Sequence, residues 1–266
     1  MIFMRRGPLQ IFSVLGLLGV GVYYLVLAFS PKDYTLPSAE YYVSDYANVL
    51  SSASMDFYLT KSTEVFDRTK GTETGGLQIV VATFPITSET QIEGEYNKTD
   101  IFRKWQIGEN DMGLLIAYFY QNDSSGIPSL VNTSVEIGYN LNSYLTAGAM
   151  GQILDKDFAE GPDEETAQAH VYSDVLSHVI PDAYGIAVTP FDKEAYVDYQ
   201  INYDGPAYGA SEPLSKLEYA FSLGGFWDRY GIPAIILGVV FFGDVFALGK
   251  GAGGSSGGGG VIRWKH

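Results

Sequence analysis

Apolar positions along the chain follow two spacings, which together predict helices alternating with strands. Between Ser51 and Gly71 the apolar residues recur at helical intervals, and Ser51 and Ser52 can cap the start of that helix. Two short, continuous apolar runs, GLQIVVATF (76–84) and MGLLIAYFY (112–120), are rich in branched residues. Such runs are typical of strands that are buried on both faces.

The remaining pattern predicts a hairpin and three more helices. Apolar residues at helical spacing from Ile92 to Trp105 predict a helix between the two buried strands. A polar turn, QNDSSGIPS, joins the second strand to the alternating segment LVNTSVEIG, as in a β-hairpin. Helices follow at 145–159 and 164–184, the latter opening on acidic residues that suit a helix N-terminus. This order predicts an α/β domain with a mixed sheet covered by helices on both faces.

Two apolar stretches outside this pattern predict membrane segments. Residues 9–29 carry no charge and follow Arg5 and Arg6, which indicates a membrane anchor with a cytoplasmic N-terminus. A cleaved signal peptide is the alternative, because residues 26–28 resemble a small-residue cleavage site. Residues 232–249 form a second span interrupted by Asp244, and basic residues after it favour a cytoplasmic C-terminal tail. The middle of the chain is then extracytoplasmic.

Charge supports this division and narrows the class of partner. The chain has 31 acidic and 16 basic residues, and Asp244 is the only acidic residue outside the region from Lys32 to Arg229. A domain this acidic repels nucleic acid, so no nucleic-acid partner is expected. It is suited to a divalent cation or a basic partner, although an acidic surface also simply favours solubility.

Composition along the chain predicts the domain boundaries. Proline and polar residues at 31–40 indicate a tether, and the stretch after residue 188 has no clear period before an aromatic-rich helix at 213–230. The predicted organisation is an anchor or signal peptide (1–30), a tether (31–40), a globular domain (41–188), a juxtamembrane connector (189–231), a transmembrane helix (232–249) and a Gly/Ser-rich tail (250–266).

Chemically, the candidate site is a set of carboxylates at the ends of predicted elements. Asp45 precedes the first helix, Asp111 precedes the second buried strand, and Glu136 lies near the end of the third. These oxygens suit weak binding of Ca²⁺ or Mg²⁺, and ordinary caps or surface charges are the alternative. Cysteine is absent, and His170 and His178 lie too far apart on one helix to share a metal, so we expect both to be structural.

Four segments carry a resemblance to the TPM domain family. The family's V-x-D-x-A-x-x-L start corresponds to YVSDYANVLS, and its W-G-I-G…D-N-G-V-L-L segment corresponds to KWQIGENDMGLLIAYF. Its E-V-G-Y-G-L-E-G turn corresponds to SVEIGYNL, and its L-T-D helix start corresponds to YLTAGAMGQIL, all in the same order and spacing. Positions that match include Asp45, Trp105, Gly108, Asp111, Gly113, Glu136, Gly138, Tyr139, Leu141, Leu145 and Thr146. The similarity extends over about 42–184.

The resemblance implies a three-layer α/β/α fold. Members of the TPM domain family include metal-binding, acid-phosphatase-like proteins and auxiliary subunits of membrane proteins. This chain departs from the pattern at Met112, Asn140, Asn142 and Ala147, so two of the expected carboxylates are missing. Fewer charged ligands weaken a Ca²⁺ site, and metal-assisted hydrolysis needs a firmly held ion. The sequence therefore predicts no catalytic residues and, at most, a weak metal site at Asp45, Asp111 and Glu136.

The resulting expectation is a membrane-anchored protein of the cell membrane whose extracytoplasmic TPM domain is non-catalytic. It would act as an accessory or assembly factor for another membrane protein or complex, or in envelope maintenance. The alternatives are an acid-phosphatase-like hydrolase that depends on a divalent cation, and a Ca²⁺-responsive binding module.

Overall fold

The computed structural model describes residues 36–221, and the unit considered below is Pro31–Lys216. The elements of the described residues, in chain order, are β1 (Val43–Asp45), α1 (Ser52–Thr69), β2 (Gln78–Pro85), α2 (Thr90–Glu93), α3 (Lys98–Trp105), β3 (Gly113–Asn122), β4 (Pro128–Ile137), α4 (Ala147–Glu160), α5 (Glu164–Tyr184), α6 (Lys193–Ile201) and α7 (Lys216–Phe221). All of them except most of α7 belong to this unit. Single 3₁₀ turns occur at Glu109–Asp111 and Leu141–Ser143.

Within the described residues the strands form one mixed sheet in the order β1-β2-β3-β4. β1, β2 and β3 are parallel, with Asp45 level with Thr83 and Thr83 level with Tyr118. β3 and β4 form the predicted antiparallel hairpin, in which Leu115 lies opposite Glu136. Parallel neighbours need crossover connections, which α1 provides between β1 and β2, and α2 with α3 between β2 and β3.

Each face of the sheet is covered by its own apolar core, so the domain has three layers. Alternate strand residues point to opposite faces, and the continuous apolar runs of β2 and β3 supply both. One face packs against α1, α4 and α5; its buried residues include Met55, Tyr58, Ile79, Val81, Leu114, Ile116, Met150, Val171 and Val175. The other packs against α2 and α3; its buried residues include Val80, Ala82, Phe84, Ile92, Ile101, Trp105, Leu115 and Phe119.

Side-chain caps fix where the helices begin. The Ser51 hydroxyl accepts a hydrogen bond from the Ser54 N–H, which confirms the cap predicted for α1. Asp163 accepts from the Thr166 N–H at the start of α5, where acidic residues were predicted to favour an N-terminus. Asn97 caps α3 and thereby ends the single helix predicted from Ile92 to Trp105, since the chain turns at Gly94 between α2 and α3. That prediction of one continuous helix was wrong.

The folded unit extends beyond both predicted boundaries of the globular domain. Leu36 and Ser38, within the predicted tether, are buried. Residues after 188, predicted as a connector, form α6 and then return beside β1, where Ser211 and Asp45 exchange hydrogen bonds of 2.8 and 2.9 Å. The Leu214 N–H also donates to the Pro37 carbonyl at 3.0 Å. The segments that lead into and out of the domain are therefore adjacent.

None of the helices in the described part of the chain is both long and apolar enough to cross a membrane. The two predicted membrane segments, 9–29 and 232–249, lie outside the described residues.

Candidate functional site

The loop between α3 and β3 holds an unusual backbone conformation. Asn110 and Asp111 have φ of 52° and 57°, in the left-handed region, and Gly108 has φ of 90°. Non-glycine residues in such conformations cost on the order of 1–3 kcal/mol each and persist where the surroundings impose them. Asn and Asp tolerate the left-handed region better than other side chains, which explains their presence in this loop.

The end of β4 imposes this conformation by a very close backbone approach. A Cβ atom at Gly138 would lie 2.1 Å from the Asp111 carbonyl oxygen, so only glycine fits here. The Gly138 N–H donates to the Gly113 carbonyl at 2.8 Å, and the Asn140 side-chain amide donates to the Asn110 carbonyl at 2.8 Å. Asn140, a departure from the family pattern, thus ties the two loops together.

A third loop is joined to the same structure through Glu109. Its carboxylate accepts hydrogen bonds from the backbone N–H groups of Gly76, at 2.8 Å, and Gly71, at 3.3 Å. Gln78 adds a further contact, because its side-chain oxygen accepts from the Gly108 N–H at 2.5 Å. The loops that precede β2 and β3 are therefore fixed relative to each other and to the end of β4.

These loops border a surface cleft that contains two of the three predicted metal ligands. Asp111 and Glu136 line it together with Arg103 and Tyr139, and its floor includes Phe102, Gln106, Ile107 and Gly108. Asp111 and Arg103 are exposed and Glu136 is half-buried. The Tyr139 side chain is 84% exposed at the edge of the cleft. The two carboxylates can hold a cation, and the guanidinium beside them can contact an anionic group.

Asp45 lies elsewhere and has a different role. Its carboxylate accepts hydrogen bonds from the Thr83 hydroxyl at 2.5 Å and from the N–H groups of Val49 and Leu50 at 3.1 and 3.0 Å. Burial raises the pKa of Asp45, although these three hydrogen bonds oppose the rise. The side chain therefore fastens the turn that leads from β1 to α1.

The sheet register separates Asp45 from the cleft. Asp45 is level with Tyr118 of β3, whereas Glu136 is level with Leu115, and β1 and β4 are the two outer strands. At ordinary strand spacing this places Asp45 roughly 15–20 Å from Glu136, too far for one ion to contact both. The structure brings Asp111 and Glu136 together and leaves Asp45 out; a cation site built on that pair stays a prediction.

Two positions are acidic in the family pattern but not in this chain, and both lie at the same end of the domain. Asn142 lies exposed in the Leu141–Ser143 turn, and Ala147 is the first residue of α4. The Thr146 hydroxyl caps α4 by accepting from the Ala149 N–H, so the helix start is kept without an aspartate at Ala147. Local structure is thus retained where the acidic side chains are replaced.

A second ionisable cluster was not predicted. Asp157 of α4 meets His170 and Asp174 of α5, and one donor atom from each lies within 4.8 Å of the others. The sequence signal was the spacing of His170 and Asp174, four residues apart on one helix. Our prediction compared His170 only with His178, and Asp157 comes from a different helix.

Comparison with known proteins identifies the domain. Residues 43–167 match the family model described as TPM domain, so this part of the chain belongs to the TPM domain family and the predicted resemblance is confirmed. The solution NMR structure of the N-terminal domain of a protein from P. gingivalis also matches, with 17% identity and a TM-score of 0.34. That match covers 67% of this chain and 95% of the other. No curated protein matches the chain.

Proposed function

We propose that this chain is a membrane-anchored TPM protein whose extracytoplasmic domain is a non-catalytic accessory or assembly factor for another membrane protein or complex. The apolar stretches at 9–29 and 232–249 support the anchoring, and the acidic region between them supports export of the domain. The loops around the cleft form the surface through which the domain contacts its partner.

The engagement of Asp45 supports a non-catalytic role. Three of the carboxylate's acceptor positions are taken by Thr83, Val49 and Leu50. Asp111 and Glu136 then remain as the charged residues available to a cation in the cleft. Because Ca²⁺ affinity depends strongly on the number of charged ligands, a two-carboxylate site is weak and holds an ion too loosely for efficient hydrolysis.

The single observation that carries the proposal is the exposure of Tyr139 on a fixed turn. Its side chain is 84% exposed, while the neighbouring Gly138 and Asn140 are held against the Glu109–Asp111 loop. Tyrosine is enriched at the centres of protein interfaces, because it supplies a large contact area with few rotatable bonds. A rigid turn that presents an exposed tyrosine beside two carboxylates suits a partner with a complementary basic patch.

Partner capture tests the proposal. The full chain is tagged, extracted with a mild detergent under several growth conditions, and the co-purified proteins are quantified. We expect one stoichiometric membrane partner that is lost in Tyr139→Ala. Ile127→Ala is the matched control, since Ile127 is 62% exposed in the β3–β4 hairpin at the opposite end of the sheet. Failure to recover any stoichiometric partner, or equal recovery with Tyr139→Ala, would contradict the proposal.

A cation-dependent phosphatase-like activity is the second candidate, favoured by Arg103 beside Asp111 and Glu136 in the cleft. A cation on the carboxylates and a guanidinium on the phosphate are elements that phosphoryl chemistry uses. The full chain would then hydrolyse a generic phosphomonoester with Mg²⁺ or Ca²⁺, and Asp111→Asn would abolish the turnover. Calorimetry with millimolar Ca²⁺ on the same protein separates this from a Ca²⁺-responsive binding module, which would bind without hydrolysis.

A further inference from the structure

The cluster of Asp157, His170 and Asp174 lies between α4 and α5, away from the cleft. The His170 Nδ1 atom is 3.4 Å from Asp157 Oδ1, and its Nε2 atom is 3.6 Å from Asp174 Oδ1. Phe191 stacks on the imidazole, with ring centroids 5.0 Å apart, and limits its movement. His170 and Asp174 are one helical turn apart, so their side chains share a face of α5 that is turned towards Asp157.

Asp157 is buried without hydrogen bonds. Its side chain is 0% exposed, and neither carboxylate oxygen has a hydrogen-bond partner among the described residues. The facing Nδ1 atom of His170 is also buried and unpartnered. A buried carboxylate normally needs hydrogen bonds, an ion partner or a metal, because transfer out of water strongly disfavours its charged form. Lys156 and His170 lie within ion-pair distance of Asp157 Oδ1, at 3.5 and 3.4 Å, but neither forms a hydrogen bond with it. The two oxygens and the facing imidazole nitrogen are therefore placed to share one bound cation.

We propose that Asp157, His170 and Asp174 bind a divalent transition-metal ion, with Zn²⁺ the best fit. An imidazole nitrogen suits Zn²⁺, whereas Ca²⁺ and Mg²⁺ prefer oxygen ligands throughout. Ligand atoms of a tetrahedral zinc site are about 3.3 Å apart. The observed 3.4 Å between His170 Nδ1 and Asp157 Oδ1 is close to this separation.

The exposure of the cluster explains how an ion reaches it. Asp157 is fully enclosed, but the side chains of His170 and Asp174 are 15% and 24% exposed, so the cluster opens to solvent on one side. Three protein ligands leave the fourth tetrahedral position for water. Two carboxylates and a neutral imidazole also balance the charge of one divalent ion.

Lys156 is the competing cation. Its ammonium is 2.7 Å from Asp174 Oδ2, and 3.5 Å from Asp157 Oδ1, where it forms no hydrogen bond. The lysine side chain is 50% exposed and can turn into solvent when an ion enters. Lys156 therefore pairs with Asp174 through a hydrogen bond and with Asp157 only through the longer contact.

Metal titration of the full chain tests the site. After the purified protein is stripped with a chelator and the chelator is removed, Zn²⁺ is titrated by calorimetry, and Co²⁺ absorption reports the coordination geometry. We expect one Zn²⁺ per chain and a tetrahedral Co²⁺ spectrum. His170→Gln and Asp174→Asn should each weaken Zn²⁺ binding by at least about tenfold. Lys156→Met should tighten it, because a competing cation is removed.

Two variants control for other sources of binding. His178→Gln removes an exposed histidine on the same helix, and Asp111→Asn removes a carboxylate of the cleft; both should leave Zn²⁺ affinity unchanged. Zn²⁺ affinity that survives His170→Gln and Asp174→Asn, or a protein that binds no Zn²⁺, would overturn the proposal. Circular dichroism checks folding, and if His170→Gln unfolds the protein, the partly exposed Asp174 decides the result.

Discussion

Replacing Gly138 by alanine tests the close contact that holds the cleft together. The new Cβ would lie 2.1 Å from the Asp111 carbonyl oxygen, and real Cβ contacts below 3.0 Å essentially never occur. The backbone must therefore separate by about 1 Å, which typically costs roughly 1–3 kcal/mol in a packed region. Losing the hydrogen bond from the Gly138 N–H to the Gly113 carbonyl adds about 1 kcal/mol. We expect a total loss of about 2–4 kcal/mol in the free energy of unfolding.

Thermal unfolding followed by near-UV circular dichroism measures this loss through the buried aromatic residues. For a domain of this size the Tm should fall by roughly 5–15 °C. Gly151→Ala is the matched control, since a Cβ at Gly151 meets nothing within 4 Å and the residue lies inside α4. Alanine is the better helix former, so this control should gain roughly 0.5–1 kcal/mol. A Tm for Gly138→Ala within about 1 °C of the unsubstituted protein would refute the reasoning.

Three further substitutions separate structural from functional roles. Asp45→Ala should lower the free energy of unfolding by about 2–4 kcal/mol in urea, because it leaves buried donors unpaired; a loss that grows when Ca²⁺ is added would instead make Asp45 a ligand. Burial raises the pKa of Tyr184 to about 12, and its hydroxyl donates to the Gly75 carbonyl. The stability lost in Tyr184→Phe should thus be about 1 kcal/mol at pH 8, shrink as the pH rises above about 10, and change sign before about pH 12, because only the tyrosine loses stability as its unfolded form ionises; a difference independent of pH would contradict the raised pKa of Tyr184. Tyr139→Ala should leave the Tm unchanged within about 1 °C, since the side chain is exposed; a larger fall would give Tyr139 a structural role.

The longer elements were predictable because their apolar periods are strong. The buried strands β2 and β3 and the long helices α1 and α5 were predicted near their observed positions. β1 has three residues, too few to show a period, and was missed. α6 was missed because its contacts come from distant parts of the chain, such as the hydrogen bond from the Tyr199 hydroxyl to Asp56.

The candidate site was predictable only in part, because sequence order does not reveal which residues the sheet brings together. The family motifs pointed to the loops of Asp111 and Glu136, and the β3–β4 hairpin places both residues at one cleft. Asp45 stood in the same motif set, yet the sheet register places it beside Thr83 and distant from Glu136. The Asp157 and His170 pair depends on how α4 packs against α5, which no local pattern records.

The pairing of the entering and leaving segments has a mechanical consequence. Leu214 is hydrogen bonded to Pro37, and Ser211 to Asp45, so tension applied to the two flanks of the domain is carried between immediate neighbours. A pull on those flanks first loads these few hydrogen bonds, which lie at the edge of the sheet beside β1. The cleft around Tyr139 is built by different loops, which flank β3 and β4. Load on the two flanks therefore enters the domain at the edge of the sheet formed by β1, and the loops of the cleft lie beside the opposite edge.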